Sequence, residues 1–403
     1  MSLPLPPELV DKIASLVPDK ETLRSLSLVC TGCIYASQRA LFKTLVVVYA
    51  GVGADGVSIS CVENIFSQSP RLASYVQDLT MVLSGNKEHV DHQASISLLG
   101  RVHRLQHLVV SGSSSIPSRE NMQNLPDHVV SALIAAFARP SLQRLALRYL
   151  CEPPPALLLA AMGVPVVSFE LIWLLSGLPL PQSDQPSPKP RLRELATMQS
   201  TLLDSIFEFL VSPQGLVYAT EIKTLEFQVS TERPRYIDQL MLVCGSNLER
   251  FSITFSVGTV PILLPKATST TLPLLRALEL RVYLDENGSF PENFNSNLAN
   301  LACASLALET ITIKCNVCAP QTMWMDPYSS AVEESFPRHS AAILPKLRRL
   351  DCMLVVNRSA FNEWDAEDVY ARFTKFMGLR MSGFSTEAKA GTPLLAFDLI
   401  EVW

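Results

Sequence analysis

The sequence predicts an α/β protein in which a small three-helix segment precedes an irregular solenoid of alternating strands and helices, with a parallel sheet and its helices on the convex side. Two observations carry this expectation. Three short runs of apolar residues at helical spacing lie between Leu5 and Phe42. Beyond them a strand-like unit, apolar-x-x-apolar-x-apolar, returns twelve times, its middle residues 24 to 47 positions apart. That spacing leaves room for a strand, a turn, a helix and a turn in each unit. The expected division is therefore 1–44 for the helical segment and 45–403 for the repeats.

In the first run Pro6 and Pro7 suit an entry turn, because proline has no donor to lose at a helix start. Leu9, Ile13, Leu16 and Val17 then recur on one face until Pro18 ends the helix. Asp19 is placed to cap a second helix, whose apolar residues are Leu23, Leu26 and Cys30. Thr31 and Gly32 are expected to break the chain before a third helix marked by Ile34, Leu41 and Phe42. A unit of roughly 40 residues is marginal alone. It also holds more apolar residues than one small core needs: Leu5, Leu9, Val10, Leu28 and Val29 cannot all point inward. A surplus of that kind suggests an interface.

The clear strand units centre on Leu108, Leu145, Leu225, Phe251, Leu278 and Ile311. The weaker ones centre on Leu45, Leu79, Phe169, Leu195, Leu350 and Phe397. Between them, helices are expected over Asp127–Ala138, Thr201–Leu210, Tyr236–Cys244, Asn295–Cys303 and Glu367–Met377. Polar stretches at Ser111–Asp127, Pro181–Pro190, Asp285–Asn297 and Ala319–Pro345 read as loops. The Pro181–Pro190 stretch (PQSDQPSPKP) has the composition of a disordered or phosphorylated segment. From Leu157 to Leu180 the only charge is Glu170. The length could span a bilayer, but Pro165 and Glu170 near its middle and the lack of a flanking basic cluster favour a buried repeat unit.

Composition narrows the function. The chain of 403 residues is 48% hydrophobic and carries a net charge of −5, with 33 basic and 38 acidic residues. It lacks the basic excess expected of a nucleic-acid binder. Nine irregularly spaced cysteines read as reduced thiols, and the N-terminus has no secretory signal, so the expected location is the cytoplasm, the nucleus or both. Cys30-x-x-Cys33 and Cys315-x-x-Cys318 could together hold zinc, but they fall in different modules, and no metal or cofactor is expected. His89 and His92, and likewise His103 and His107, read as solvated side chains. No nucleophile motif or phosphate-cradling loop is present, so no catalytic residue is assigned.

The string L-P-x-E-L-x-x-x-I from Leu5, then D-x-x-x-L-x-x-x-S-L-V-C-like residues from Asp19 to Cys30, then the Leu41-Phe42 ending, resembles an F-box. It is particularly similar to the F-box proteins of mushroom-forming fungi, and the resemblance covers about a tenth of the chain. In that family the Leu-Pro entry and the first two helices dock on a Skp-type adaptor. The resemblance therefore implies adaptor contacts at Leu5, Pro6, Glu8, Leu9 and Ile13, and at Leu26, Leu28, Val29 and Cys30. Where the family often has Trp, this chain has Cys33, a smaller side chain in the third helix. The repeats in turn resemble a leucine-rich-repeat solenoid of the long type, divergent because only Asn316 clearly occupies the repeat's Asn position.

Such a protein is a substrate receptor of a Skp–cullin–F-box ubiquitin ligase: it binds the adaptor, and through it cullin, and captures a protein substrate on its repeats. It performs no chemistry itself. The alternative is a scaffold or protein-binding module outside the ligase. Side chains alternate along a strand, which points the residues between the apolar ones outward. The substrate-face candidates are His107, Val109, Arg148 and Glu170. Glu226, Gln228, Arg250 and Thr254 follow, then Glu279, Arg281, Thr312 and Lys314. Neither nucleic acid nor membrane is an expected partner.

Overall fold

The computed structural model describes residues 5–49, 56–83, 89–112, 125–173, 191–198, 202–229, 236–255, 272–284, 304–305, 307–317, 346–357, 370–371, 373–375, 377 and 394–402. The protein is α/β, with parallel strand pairing wherever a register is described. Its contacts divide it into two compact units, Met1–Arg191 and Leu192–Trp403. The expected boundary at 44/45 falls inside the first of them.

The first unit opens with three helices, α1 (Pro7–Leu16), α2 (Lys20–Ser27) and α3 (Thr31–Lys43). Pro7 stands in the first turn of α1, as its missing donor allows. Asp19 caps α2, accepting from the backbone N–H of Thr22 at 2.6 Å and of Glu21 at 3.3 Å. These bonds, with the Thr22 hydroxyl foremost, hold its carboxyl below the usual range. The break before α3 comes earlier than expected. Leu28 and Val29 form it, Cys30 is the N-cap, and Thr31 and Gly32 already lie in the first turn.

Strands β1 (Thr44–Val48), β2 (Val57–Ser58), β3 (Asp78–Val82), β4 (His107–Ser111), β5 (Arg144–Arg148) and β6 (Val166–Glu170) follow. Except for the short edge strand β2, they pair in sequence order: β1 with β3, then β3 with β4, β4 with β5, and β5 with β6. Sequential parallel pairing requires a crossover between neighbours. Helices α4 (Ile59–Gln68), α5 (Pro70–Ala73), α6 (His89–Arg101), α7 (Asp127–Phe137) and α8 (Pro155–Ala161) supply it. From β3 to β6 alternate residues are buried, with Ser111 at the end of β4 buried as well: Leu79 and Met81, Leu108 and Val110, Leu145 and Leu147, and Val167 and Phe169 face the core. Arg139, just past α7, donates to the carbonyls of Val102 (2.7 Å) and Leu99 (2.5 Å), satisfying acceptors at the end of α6.

In the second unit β7 (Glu194–Met198), β8 (Thr224–Val229), β9 (Arg250–Phe255), β10 (Ala277–Leu284), β11 (Thr310–Val317), β12 (Arg349–Asn357) and β13 (Leu394–Val402) pair consecutively. Helices α9 (Leu203–Val211) and α10 (Leu216–Ala219) separate β7 from β8, and α11 (Ile237–Cys244) precedes β9. The turn between α9 and α10 brings Gly215 so close to Phe209 that a Cβ there would stand 1.9 Å from the Phe209 carbonyl oxygen. The core is aromatic: Phe207 from α9 meets Phe227 edge-on at 5.5 Å, and Phe227 lies 5.7 Å from Phe251.

Several expectations need correction. The twelve strands exist, but two are centred two residues earlier than the sequence pattern predicts: Leu145 pairs with Val167 rather than Phe169, and Leu350 with Leu395 rather than Phe397. Asn316, three residues past Ile313, pairs within β11, between Tyr283 and Val355, half-exposed on the same side as Thr312 and Lys314. The apolar stretch 157–180 folds, where described, into α8 and β6, and among the described residues no helix is long and apolar enough to cross a membrane. The helices expected at 127–138, 201–210 and 236–244 are α7, α9 and α11. The described residues of 367–377 are also helical. The helix expected at 295–303, the loops expected at 181–190, 285–297 and 319–345, and Cys318 lie outside the described residues.

Candidate docking and recognition surfaces

Helix α1 carries two apolar stripes. Val10, Ala14 and Val17, at i, i+4 and i+7, turn inward and meet Leu23, Ala36, Leu26, Ala40 and Leu41 in a small core. Leu9, Ile13 and Leu16 repeat the same spacing one residue earlier, which rotates them about 100° around the helix. They stay outside. With Leu5, and with Leu28 and Val29 in the break after α2, they are 47 to 87% exposed. Val17 thus belongs to the inner stripe, not to the face of Leu9 and Ile13.

Of the nine residues singled out for adaptor contact, eight are exposed: Leu5, Pro6, Glu8, Leu9, Ile13, Leu28, Val29 and Cys30. Leu26 is the exception, packed against the bundle core. The helices are tied to the rest of their unit. Arg39 of α3 pairs with Asp11 of α1 and lies 5.8 Å from the Tyr75 ring. Arg71 of α5 stacks over Tyr35 at 4.6 Å, and Phe42 meets Phe66 of α4 at 6.1 Å.

The sheet face opposite the core brings together some of the twelve recognition candidates. In the first unit His107 pairs with Asp78 on the neighbouring strand at 2.5 Å, and Arg148 pairs with Glu170 at 2.9 Å. Val109 lies between them on β4, half-buried. In the second unit the candidates form a ladder. Glu226, Ser252, Glu279, Thr312 and Asp351 share one row across β8 to β12, and Gln228, Thr254, Arg281, Lys314 and Met353 share the next. Arg281 reaches Glu279 at 2.7 Å and, over the intervening β9, Glu226 at 3.3 Å. A span of two strands is roughly 10 Å, within reach of a diagonal arginine. Lys314 meets Glu279 at 2.8 Å, and Arg349 meets Asp351 at 2.6 Å. Arg250 is exposed, while Thr254 is buried rather than outward and accessible.

Two carboxylates in one ladder titrate differently. Burial, the largest influence on Glu226, pushes its pKa up, and Arg281 only partly opposes this. Burial acts on Glu279 too, but hydrogen bonds from Lys314 and Arg281 outweigh it and bring the pKa below the ordinary value. Charged Glu226 is therefore disfavoured by folding. Its contribution to stability is complete below pH 4.5, the usual glutamate value, and is lost as pH rises through its elevated folded value. The Glu226→Gln variant is expected to lose less stability than the parent between pH 4.5 and pH 7 in urea unfolding. Parallel pH profiles for the two proteins would contradict that assignment.

Sequence reading missed one polar cluster. His92, expected to be solvated, lies on α6 and is buried, its Nδ1 3.4 Å from the Tyr49 hydroxyl, which accepts a hydrogen bond from Ser95 at 2.7 Å. Ser60 donates to Asp91 at 2.8 Å beside them. Burial pushes the Tyr49 pKa up to about 12. These hydrogen bonds and the edge-on contact of the Tyr49 and His92 rings hold the cluster together. His107 is likewise not simply solvated, since Asp78 engages it. Among the described residues no three His, Cys, Asp or Glu side chains converge as a metal site.

No protein-family model matches the chain. No curated protein matches it significantly. Geometry and chemistry therefore carry the functional reading. The outer stripe of α1 with Leu28 and Val29 can bury apolar surface against a partner, worth about 25 cal/mol for each Å² removed from water. The ladder can select for charge pattern, but only a partner able to compete with its existing ion pairs will engage it.

Proposed function

We propose that this chain is the substrate receptor of a Skp–cullin–F-box ubiquitin ligase, acting in the cytoplasm, the nucleus or both. The exposed second stripe of α1 carries this reading: Leu9, Ile13 and Leu16 repeat the helical spacing of the inner stripe yet lie outside the core. The F-box-like pattern that includes Leu9 and Ile13 supports a Skp-type adaptor as the occupant, and cullin joins through it. The repeats then present a protein substrate on the sheet face. Ubiquitin transfer occurs on other subunits, and the receptor contributes by raising the local concentration of a target lysine.

The deciding experiment is co-expression with a Skp-type adaptor and cullin, followed by size-exclusion chromatography, with a chain lacking residues 1–44 as control. The expected result is a complex containing all three proteins, abolished by the deletion. Adaptor without cullin would favour a scaffold outside the ligase. A well-folded full chain that never co-elutes with adaptor would overturn the reading.

A further inference from the structure

Two cysteines meet where α3 begins. Cys30 is the N-cap, in extended backbone, and Cys33 stands in the first turn. Residues three apart near a helix start share a face, and the two sulfurs are 3.4 Å apart in a thiol–thiol hydrogen bond. Cys30 is exposed and Cys33 half-exposed. A disulfide needs about 2.05 Å, so the sulfurs must close by roughly 1.3 Å, a movement on the scale of a side-chain rotation.

The pair is electronically asymmetric. The Cys33 backbone amide, then the Cys33 thiol, and more weakly the Gly32 amide hold the Cys30 thiol below its ordinary range. The hydrogen bond to Cys30 holds the Cys33 thiol above its own. Amides at a helix N-terminus favour a thiolate there, and the thiolate is the nucleophile. The remaining described cysteines differ: Cys151, Cys244, Cys315 and Cys352 are buried, and Cys61 is exposed on α4.

We propose that Cys30 and Cys33 are a redox-active dithiol that small disulfides of the glutathione class convert to an intramolecular disulfide, Cys30 attacking and Cys33 resolving. The Cys30 thiolate bonds to one sulfur of the oxidant, whose S–S bond breaks and releases one thiolate. Cys33 then gives up its proton and attacks the Cys30 sulfur, expelling the second. Two protein thiols are oxidised, one disulfide is reduced to two thiols, and the electrons balance. The new bond sits beside Leu28 and Val29, the two most exposed large apolar side chains described. Oxidation therefore alters the rim of the docking face, a consequence that rests on the adaptor reading, whereas the thiol chemistry does not.

The test uses the reduced full chain in buffers of reduced and oxidised glutathione, quenched in acid, alkylated and cleaved by trypsin. Cleavage after Arg24 and Arg39 leaves both cysteines in one peptide. With rising oxidant that peptide is expected to lose two hydrogen atoms and refuse the alkylating label, while Cys61 acquires only bound glutathione. The Cys33→Ser variant is expected to stop at glutathione on Cys30, formed several-fold faster than on Cys61. Cys30 and Cys33 both alkylated at every ratio, or Cys30 in the variant reacting no faster than Cys61, would overturn the proposal. Adaptor binding measured on reduced and oxidised chain isolates the docking consequence: equal binding removes that consequence and leaves the dithiol standing.

Discussion

Replacing Leu9 and Ile13 together by alanine is expected to weaken adaptor binding about a hundredfold or more, because apolar anchors central to an interface each cost roughly 2 kcal/mol when truncated. Both side chains lie on the outer stripe of α1 and are about half exposed, at 50% and 47%. They are not members of the inner core of Ala14, Leu23 and Ala36. The variant should therefore keep the parent's circular dichroism and unfolding midpoint, since surface changes usually stay within about 0.5 kcal/mol. Titration calorimetry against the Skp-type adaptor reads the affinity. Unchanged affinity with an unchanged fold would remove the outer stripe from the interface.

The second large effect is on stability. Phe227→Ala is expected to cost the second unit about 3–5 kcal/mol, the usual loss for a buried aromatic replaced by alanine. Phe227 is fully buried on β8 and contacts both Phe207 and Phe251. Its removal thus takes out two aromatic pairs along with the buried area. Domains are typically stable by only about 5–15 kcal/mol, so the loss is a large share of the total. Urea unfolding followed by circular dichroism measures the change, with Leu242→Ala on the exposed side of α11 as the control. A Phe227→Ala loss below about 1 kcal/mol would mean that the site repacks around the gap.

The strands were legible because each places apolar residues at alternate positions, and a buried face enforces that alternation. Register was not always legible, for the same reason. Val167, Phe169 and Leu171 are all apolar at spacing two, so alternation cannot distinguish a unit centred on Val167 from one centred on Phe169. Pairing with Leu145 settles it. Helix α6 escaped detection because its buried side includes Asp91, His92 and Ser95, which no apolar period reveals. A surplus of apolar residues was readable, but not its membership: Val10, counted in it, packs against the core, while Ile13 and Leu16, not counted in it, are exposed. Leu26, an adaptor contact by resemblance, also lies against the core. The ladder from Glu226 to Lys314 was visible only as separate charged positions. That Arg281 serves both Glu226 and Glu279 depends on a register spanning three strands.

Lys43 closes α3 and Thr44 opens β1 with no residue between them. The Lys43 carbonyl is itself held by the Gln77 N–H, at 2.9 Å, next to the start of β3. A load gripped by the helical head is thus joined to the first strands by a bracket, not a tether. Its bearing is set by one helix-to-strand turn and the sheet edge that clamps it, so little volume is left to search. Orientation, more than affinity, is what such a joint contributes to any partner held there.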